Sequence, residues 1–162
     1  MRHDLTHNKL TNALAWTAAA LFLASWFLPV LEDVPGWMAF RYALAPLVPF
    51  LDRETGSRGW DDAAPQVMSA LTNVVFVILF ALWATRQSLR PALFVRLALA
   101  CFLLNLYWPV TAWRDGSLGD LLPGYYVWLA AFALLLAVAI IIAVVSRRAA
   151  GADSTRESTS AR

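Results

Sequence analysis

Asn73 and Asn105 are isolated carboxamides within long uncharged stretches. Asn73 lies eleven residues past Asp62 and Asn105 ten residues before Asp115. A carboxamide both donates and accepts, and an unpaired polar group in apolar surroundings is costly. Amides at matched depth therefore either bond to a neighbouring helix or line a pocket. Ser69 and Thr72 flank Asn73, while Ser25 and Tyr126 fall near the same level. Ser25, Asn73, Asn105 and Tyr126 are thus candidate residues of a polar pocket for a small substrate or headgroup, or of interhelical hydrogen bonds. Such bonds contribute about 0.6 to 2 kcal/mol each. No acid, histidine or lysine lies deep in an uncharged run, so proton relays and ion pathways lack their usual parts. The pattern favours bonding between helices, with Asn73 and Asn105 facing each other.

Aromatic residues gather at the same level. Trp26, Phe27, Trp37, Trp60, Tyr107, Trp108, Trp113, Tyr125, Tyr126 and Trp128 fall toward one side, against Trp16 and Trp83 on the other. Tyr and Trp ordinarily populate both membrane interfaces. The excess suits either an aromatic belt with local packing or a groove for a lipid, quinone or partner helix. Trp26, Trp37, Tyr107, Trp108 and Tyr125 are the candidate groove residues. His3 and His7 have the i, i+4 spacing of paired metal ligands but lack a third strong ligand. The stretch "LDRETGSRGWDD" lacks the alternating oxygen ligands and final glutamate of a calcium loop. With no Ser–His–Asp set, P-loop or metalloprotease motif, the expectation is a non-enzymatic protein without metal or cofactor.

The framework holding these residues follows from hydropathy. A soluble domain has about a quarter charged residues, interleaved throughout. Here 15% of 162 residues are charged, 60% are hydrophobic, and the charges cluster. Uncharged runs cover Leu10–Leu31, Ala63–Thr85, Leu97–Trp113 and Leu121–Ser146, or 22, 23, 17 and 26 residues. About 20 helical residues cross a hydrocarbon core of about 30 Å. The third run reaches that length if it starts near Pro91 and Arg96 snorkels. The expected fold is all-α: a four-helix transmembrane bundle with a short interfacial or re-entrant helix in its first outer loop. A single domain would cover 1–148, with spans at about 10–31, 63–86, 91–113 and 121–146 and an outer segment at 32–62. Residues 149–162 are small, polar and charged, and are expected to form a disordered cytoplasmic tail. The first run has no small-x-small cleavage site at its far end and reads as a retained anchor.

Charge orients the spans. Summed over alternate segments, nine basic and three acidic residues fall on one side, four basic and eight acidic on the other. Lys and Arg mark the cytoplasmic side, so a multi-pass protein of the cell's inner membrane with both termini inside is expected. This also decides Val34–Leu51, 18 residues with the single charge Arg41. As a fifth span it would bury that arginine and break the alternation, and Pro46 and Pro49 would interrupt its helix. A short helix from about Pro35 to Leu44, then an extended proline-rich segment, fits better, with Asp33 as candidate cap.

Helix ends echo one another. Asp62-x-x-Pro65 resembles Asp120-x-x-Pro123 as a helix start, and Ser88-x-x-Pro91 is similar. Aligning Pro29 with Pro109 sets Ser25 opposite Asn105, which would suit two related hairpins. Recurrent punctuation at membrane interfaces explains the likeness equally and is favoured. Cys101, the only cysteine, forms no internal disulfide. A net charge of +2 gives no reason to expect nucleic acid as a partner.

With "FLPVL", Gly36-Trp37 and "LLPGYYVWLAAF", the chain resembles small uncharacterised bacterial four-span integral membrane proteins. In those, a proline-ended first helix precedes a Gly-Trp motif, and a GYY-type stretch opens the last span. The resemblance implies the framework and no activity. The paired cysteines of claudin-like proteins and the Cys-Cys-Gly motif of tetraspanins are not found. The function favoured is an accessory subunit of a membrane complex, its partners being membrane lipids and another membrane protein or a second copy of this chain. The alternative is a binder or transporter of a lipid-like or small polar molecule.

Overall fold

The computed structural model describes residues 2–31, 34–47, 60–85 and 90–160, and side-chain surroundings over 9–31, 34–47, 64–85 and 90–148. Helices dominate: α1 (Arg2–Ser25), α2 (Gly36–Leu44), α3 (Trp60–Ala84), α4 (Pro91–Arg114) and α5 (Pro123–Ser160). Between α1 and α2 runs a small antiparallel hairpin of β1 (Pro29–Leu31) and β2 (Val34–Pro35). Single 3₁₀ turns follow α2 (Ala45–Leu47) and precede α5 (Leu118–Asp120). Among the described residues three helical segments are long and apolar enough to cross a membrane, Ala64–Ala84, Pro91–Arg114 and Pro123–Arg148. The fold is all-α in that sense, and the chain has the make-up of a membrane-embedded protein.

One core joins the four long helices. Ala15, Ala18 and Phe22 of α1 meet Phe76 and Leu79 of α3, Phe94, Ala98 and Cys101 of α4, and Ala131, Phe132, Leu135, Val138 and Ala139 of α5. These residues recur three and four apart on each helix, the spacing that keeps side chains on one face. At its centre the Phe22 and Phe76 rings stack at 4.2 Å, and Phe132 stands edge-on to Phe76 at 5.1 Å. α5 packs on both α1 and α4, and α4 packs on α3. The long contact of α1 is therefore with α5 rather than with α3. Buried alanines on both partners, Ala15 and Ala18 of α1 and Ala131 and Ala139 of α5, suit such close approach. α1 and α3 meet instead through large rings, Trp16 lying edge-on to Phe80 and Trp83.

Several boundaries differ from expectation. The first run does not remain helical to Leu31, because α1 stops at Ser25. Ser25 Oγ donates to the Phe22 carbonyl at 2.7 Å, and the Trp26 and Phe27 N–H groups turn back to Leu23 and Ala24. Pro29 then disfavours helix at Leu28 and leads into β1. Proline at the equivalent place in α4, Pro109, lies inside a helix that continues to Arg114. The two aligned prolines thus have different structures, and the hairpin repeat has no support in the fold. Asp62 lies inside α3 rather than at its cap, Pro65 is internal, and Asp120 ends a 3₁₀ turn two residues before α5. α2 starts after Pro35, which serves as its N-cap without a side-chain bond. Asp33, Ser88 and Pro49 lie outside the described residues. α5 is helical to Ser160 where composition predicts no structure at 149–160; the segment contains no proline to stop it.

The break after α1 leaves non-helical backbone beside apolar helices, and its polar groups are met locally. Gly36 N–H bonds to Leu28 O and Trp37 N–H to Trp26 O, each at 3.1 Å. Leu122 N–H bonds to Val30 O at 3.1 Å, and Leu31 bridges to Leu121. Such pairing meets the hydrogen-bonding need that apolar surroundings impose on irregular backbone. It ties the hairpin to the start of α5 and sets α2 over the same end of the helices.

Candidate functional site

A polar layer crosses the helices just below the hairpin. Asn105 on α4 is fully buried. Its Oδ1 accepts from Ser69 Oγ at 2.9 Å, and its Nδ2 donates to Thr72 Oγ1 at 3.0 Å. Thr72 Oγ1 passes its own hydrogen to the Ser69 carbonyl at 2.6 Å. The Asn105 carbonyl has lost its helical partner because residue 109, four places on, is proline and has no N–H. The hydroxyl of Tyr125, reaching across from α5, donates to that carbonyl instead.

Asn73, one residue beyond Thr72, has different partners. Its Oδ1 accepts from Trp128 Nε1 at 2.7 Å, and its Nδ2 donates to the Ala70 carbonyl at 3.0 Å. In place of a direct Asn73–Asn105 hydrogen bond there are two separate links, α4 to α3 through Asn105 and α5 to α3 through Asn73. Counting residues from the aspartates matched their depth. Position around the helix was not matched, and Ser69 and Thr72 occupy the face toward α4.

Above this layer a cavity of about 540 Å³ opens among all the elements at the hairpin end. Its floor includes Ser25, Ser69, Asn73, Tyr125 and Trp128, and its walls include Trp26, Val30, Phe40, Ala43, Trp108 and Ala112. α2 forms one wall through Gly36, Ala39, Phe40, Tyr42 and Ala43, and the last turns of α4 form another. The chain matches no protein-family model, no curated protein and no solved structure.

Of the residues singled out in the sequence, Ser25, Asn73, Trp26, Trp108 and Tyr125 line the cavity. Asn105 lies behind its floor, bonded on both amide atoms. Tyr126, Trp37 and Tyr107 are exposed and outside the lining. Tyr126 follows Tyr125 on α5, so the two hydroxyls cannot share a face; the Tyr125 ring meets Tyr126 edge-on and turns inward. Gln66, Asp115 and Asp120 also line the cavity and were not among the candidate site residues. Nothing in their spacing marks them, because residues 66, 115 and 120 come together only when α3, α4 and the turn before α5 assemble. The role of Tyr125 did have a sequence signal, a proline four residues after a buried asparagine.

Proposed function

We propose that this protein is a membrane-embedded binder of a lipid-like amphiphile, held in the cavity beneath α2 without chemical change. The cavity itself carries the proposal. Its volume of about 540 Å³ lies within the roughly 300–1,000 Å³ usual for small-molecule sites. A lining that combines apolar and aromatic side chains with hydroxyls, amides and carboxylates suits a molecule with an apolar body and a polar head. The floor groups Ser25, Asn73, Ser69 and Tyr125 already bond within the protein, so the cavity keeps its shape without a ligand.

Four membrane spans, with both termini in the cytoplasm of a bacterial cell, belong to the same proposal. α1 shares one core with the three span-length apolar helices, and its uncharged part, Leu10 to Ser25, is followed by the hairpin tied to α5. The bias of basic residues supports an outer-side position for α2 and the cavity in the inner membrane. The resemblance to small four-span proteins agrees with this topology.

A second role, accessory subunit of a membrane complex, is favoured by Phe27 and Trp113, which are 80% and 73% exposed. Purification in mild detergent followed by mass spectrometry of co-purifying molecules separates the two. One retained amphiphile per chain, lost from an Ala39→Trp variant that fills the cavity, supports the binder. A stoichiometric protein partner with no retained amphiphile supports the subunit and ends the binder proposal.

A further inference from the structure

We infer that the amphiphile held beneath α2 carries a cationic, alkylated ammonium head; this rests on the binding proposal above. Two independent features of the lining point to it. First, the cavity brings together the aromatic rings of Trp26, Phe40, Trp108, Tyr125 and Trp128. The face of an aromatic ring attracts cations, and enclosure by several rings is how proteins recognise quaternary ammonium groups. Second, among the described residues the formal charges in the lining are all negative: Asp115 caps α4, Asp120 ends the following turn, and no lysine, arginine or histidine is among the described lining residues.

Neutral lining groups do not choose between head groups, since the Gln66 amide and the Ser117 hydroxyl can each donate or accept. Charge does choose. An anionic head would enter among aromatic rings and carboxylates with no compensating cation among the described lining residues, whereas an ammonium is attracted by either group. The apolar wall residues Val30, Ala43 and Ala112 leave room for an alkyl body beside that head. An ammonium could reach the site from a lipid or as a free cation.

The test uses the full chain in a non-ionic maltoside detergent, with binding read by native mass spectrometry. Dodecyltrimethylammonium, dodecanoate and tetramethylammonium are offered separately to the natural chain and to an Asp115→Asn/Asp120→Asn variant. The natural chain should bind dodecyltrimethylammonium roughly tenfold or more tightly than dodecanoate, the scale of a charge-assisted contact. The variant, whose changes are near-isosteric at exposed sites, should melt at an unchanged temperature and lose most of that preference. Tetramethylammonium binding as tightly as its alkyl counterpart would support the head group and identify a soluble cation as its source. Equal binding of dodecanoate overturns the ammonium inference while leaving the binder proposal intact, and full preference in the variant also overturns it. Retention of none of the three by the natural chain removes both.

Discussion

Pro109 has no N–H to give Asn105, and the carbonyl it frees is met by the Tyr125 hydroxyl. A local defect in α4 is thus converted into a link between α4 and α5. Tyr125→Phe should leave that buried carbonyl unpaired and cost about 1–3 kcal/mol, read as denaturation in detergent. Pro109→Ala restores the helical donor, so Tyr125→Phe should cost less in that background than in the natural chain. Strictly additive losses would show that the hydroxyl and the proline act independently. The buried amides were legible because nothing else polar interrupts their runs. Their partners were not: residue counting gives depth along a helix, while the face that Ser69 and Thr72 present to Asn105 depends on how α3 and α4 rotate against each other.

The hairpin and α2 hold their place by close backbone approach. A side chain at Gly124, the second residue of α5, would put its Cβ 2.5 Å from the Pro29 carbonyl. One at Gly36, the first residue of α2, would collide with the Ser25 carbonyl. These are the glycines of the Gly-Tyr-Tyr and Gly-Trp stretches, and each is needed to seat the chain leaving α1. Gly124→Ala should push β1 from α5, cost about 1–3 kcal/mol as overpacking does, and speed amide exchange across α2. Unchanged exchange over 36–44 would mean that the contact does not hold α2 down. α2 was legible because Arg41, Pro46 and Pro49 excluded a span. The hairpin was not, since the uncharged residues 27–31 read equally as continued helix or as strand. Only bonds to distant residues, such as Leu122 to Val30, distinguish the two.

For the whole molecule, the proposed topology makes the hairpin end extracellular. In a Cys101→Ser background, an impermeant thiol reagent added to intact cells should label Gly119→Cys, whose substituted position faces open space, and spare Ser158→Cys. Labelling of both, or of Ser158→Cys alone, would contradict the charge-derived orientation. The three described helical segments long and apolar enough to cross a membrane were accessible from runs of apolar residues. The cavity was only partly so, because its walls come from segments far apart in the chain. That cavity is the centre of the proposed function, and photo-crosslinking addresses its occupancy most directly. The natural chain in lipid nanodiscs would be irradiated with a diazirine-bearing alkyl amphiphile and its adducts mapped by peptide mass spectrometry. Occupancy of the cavity predicts adducts concentrated on Ala39, Ala43 and Ala112, abolished by excess unlabelled amphiphile. Adducts spread over exposed faces such as Val77 and Leu103, insensitive to competitor, would contradict it.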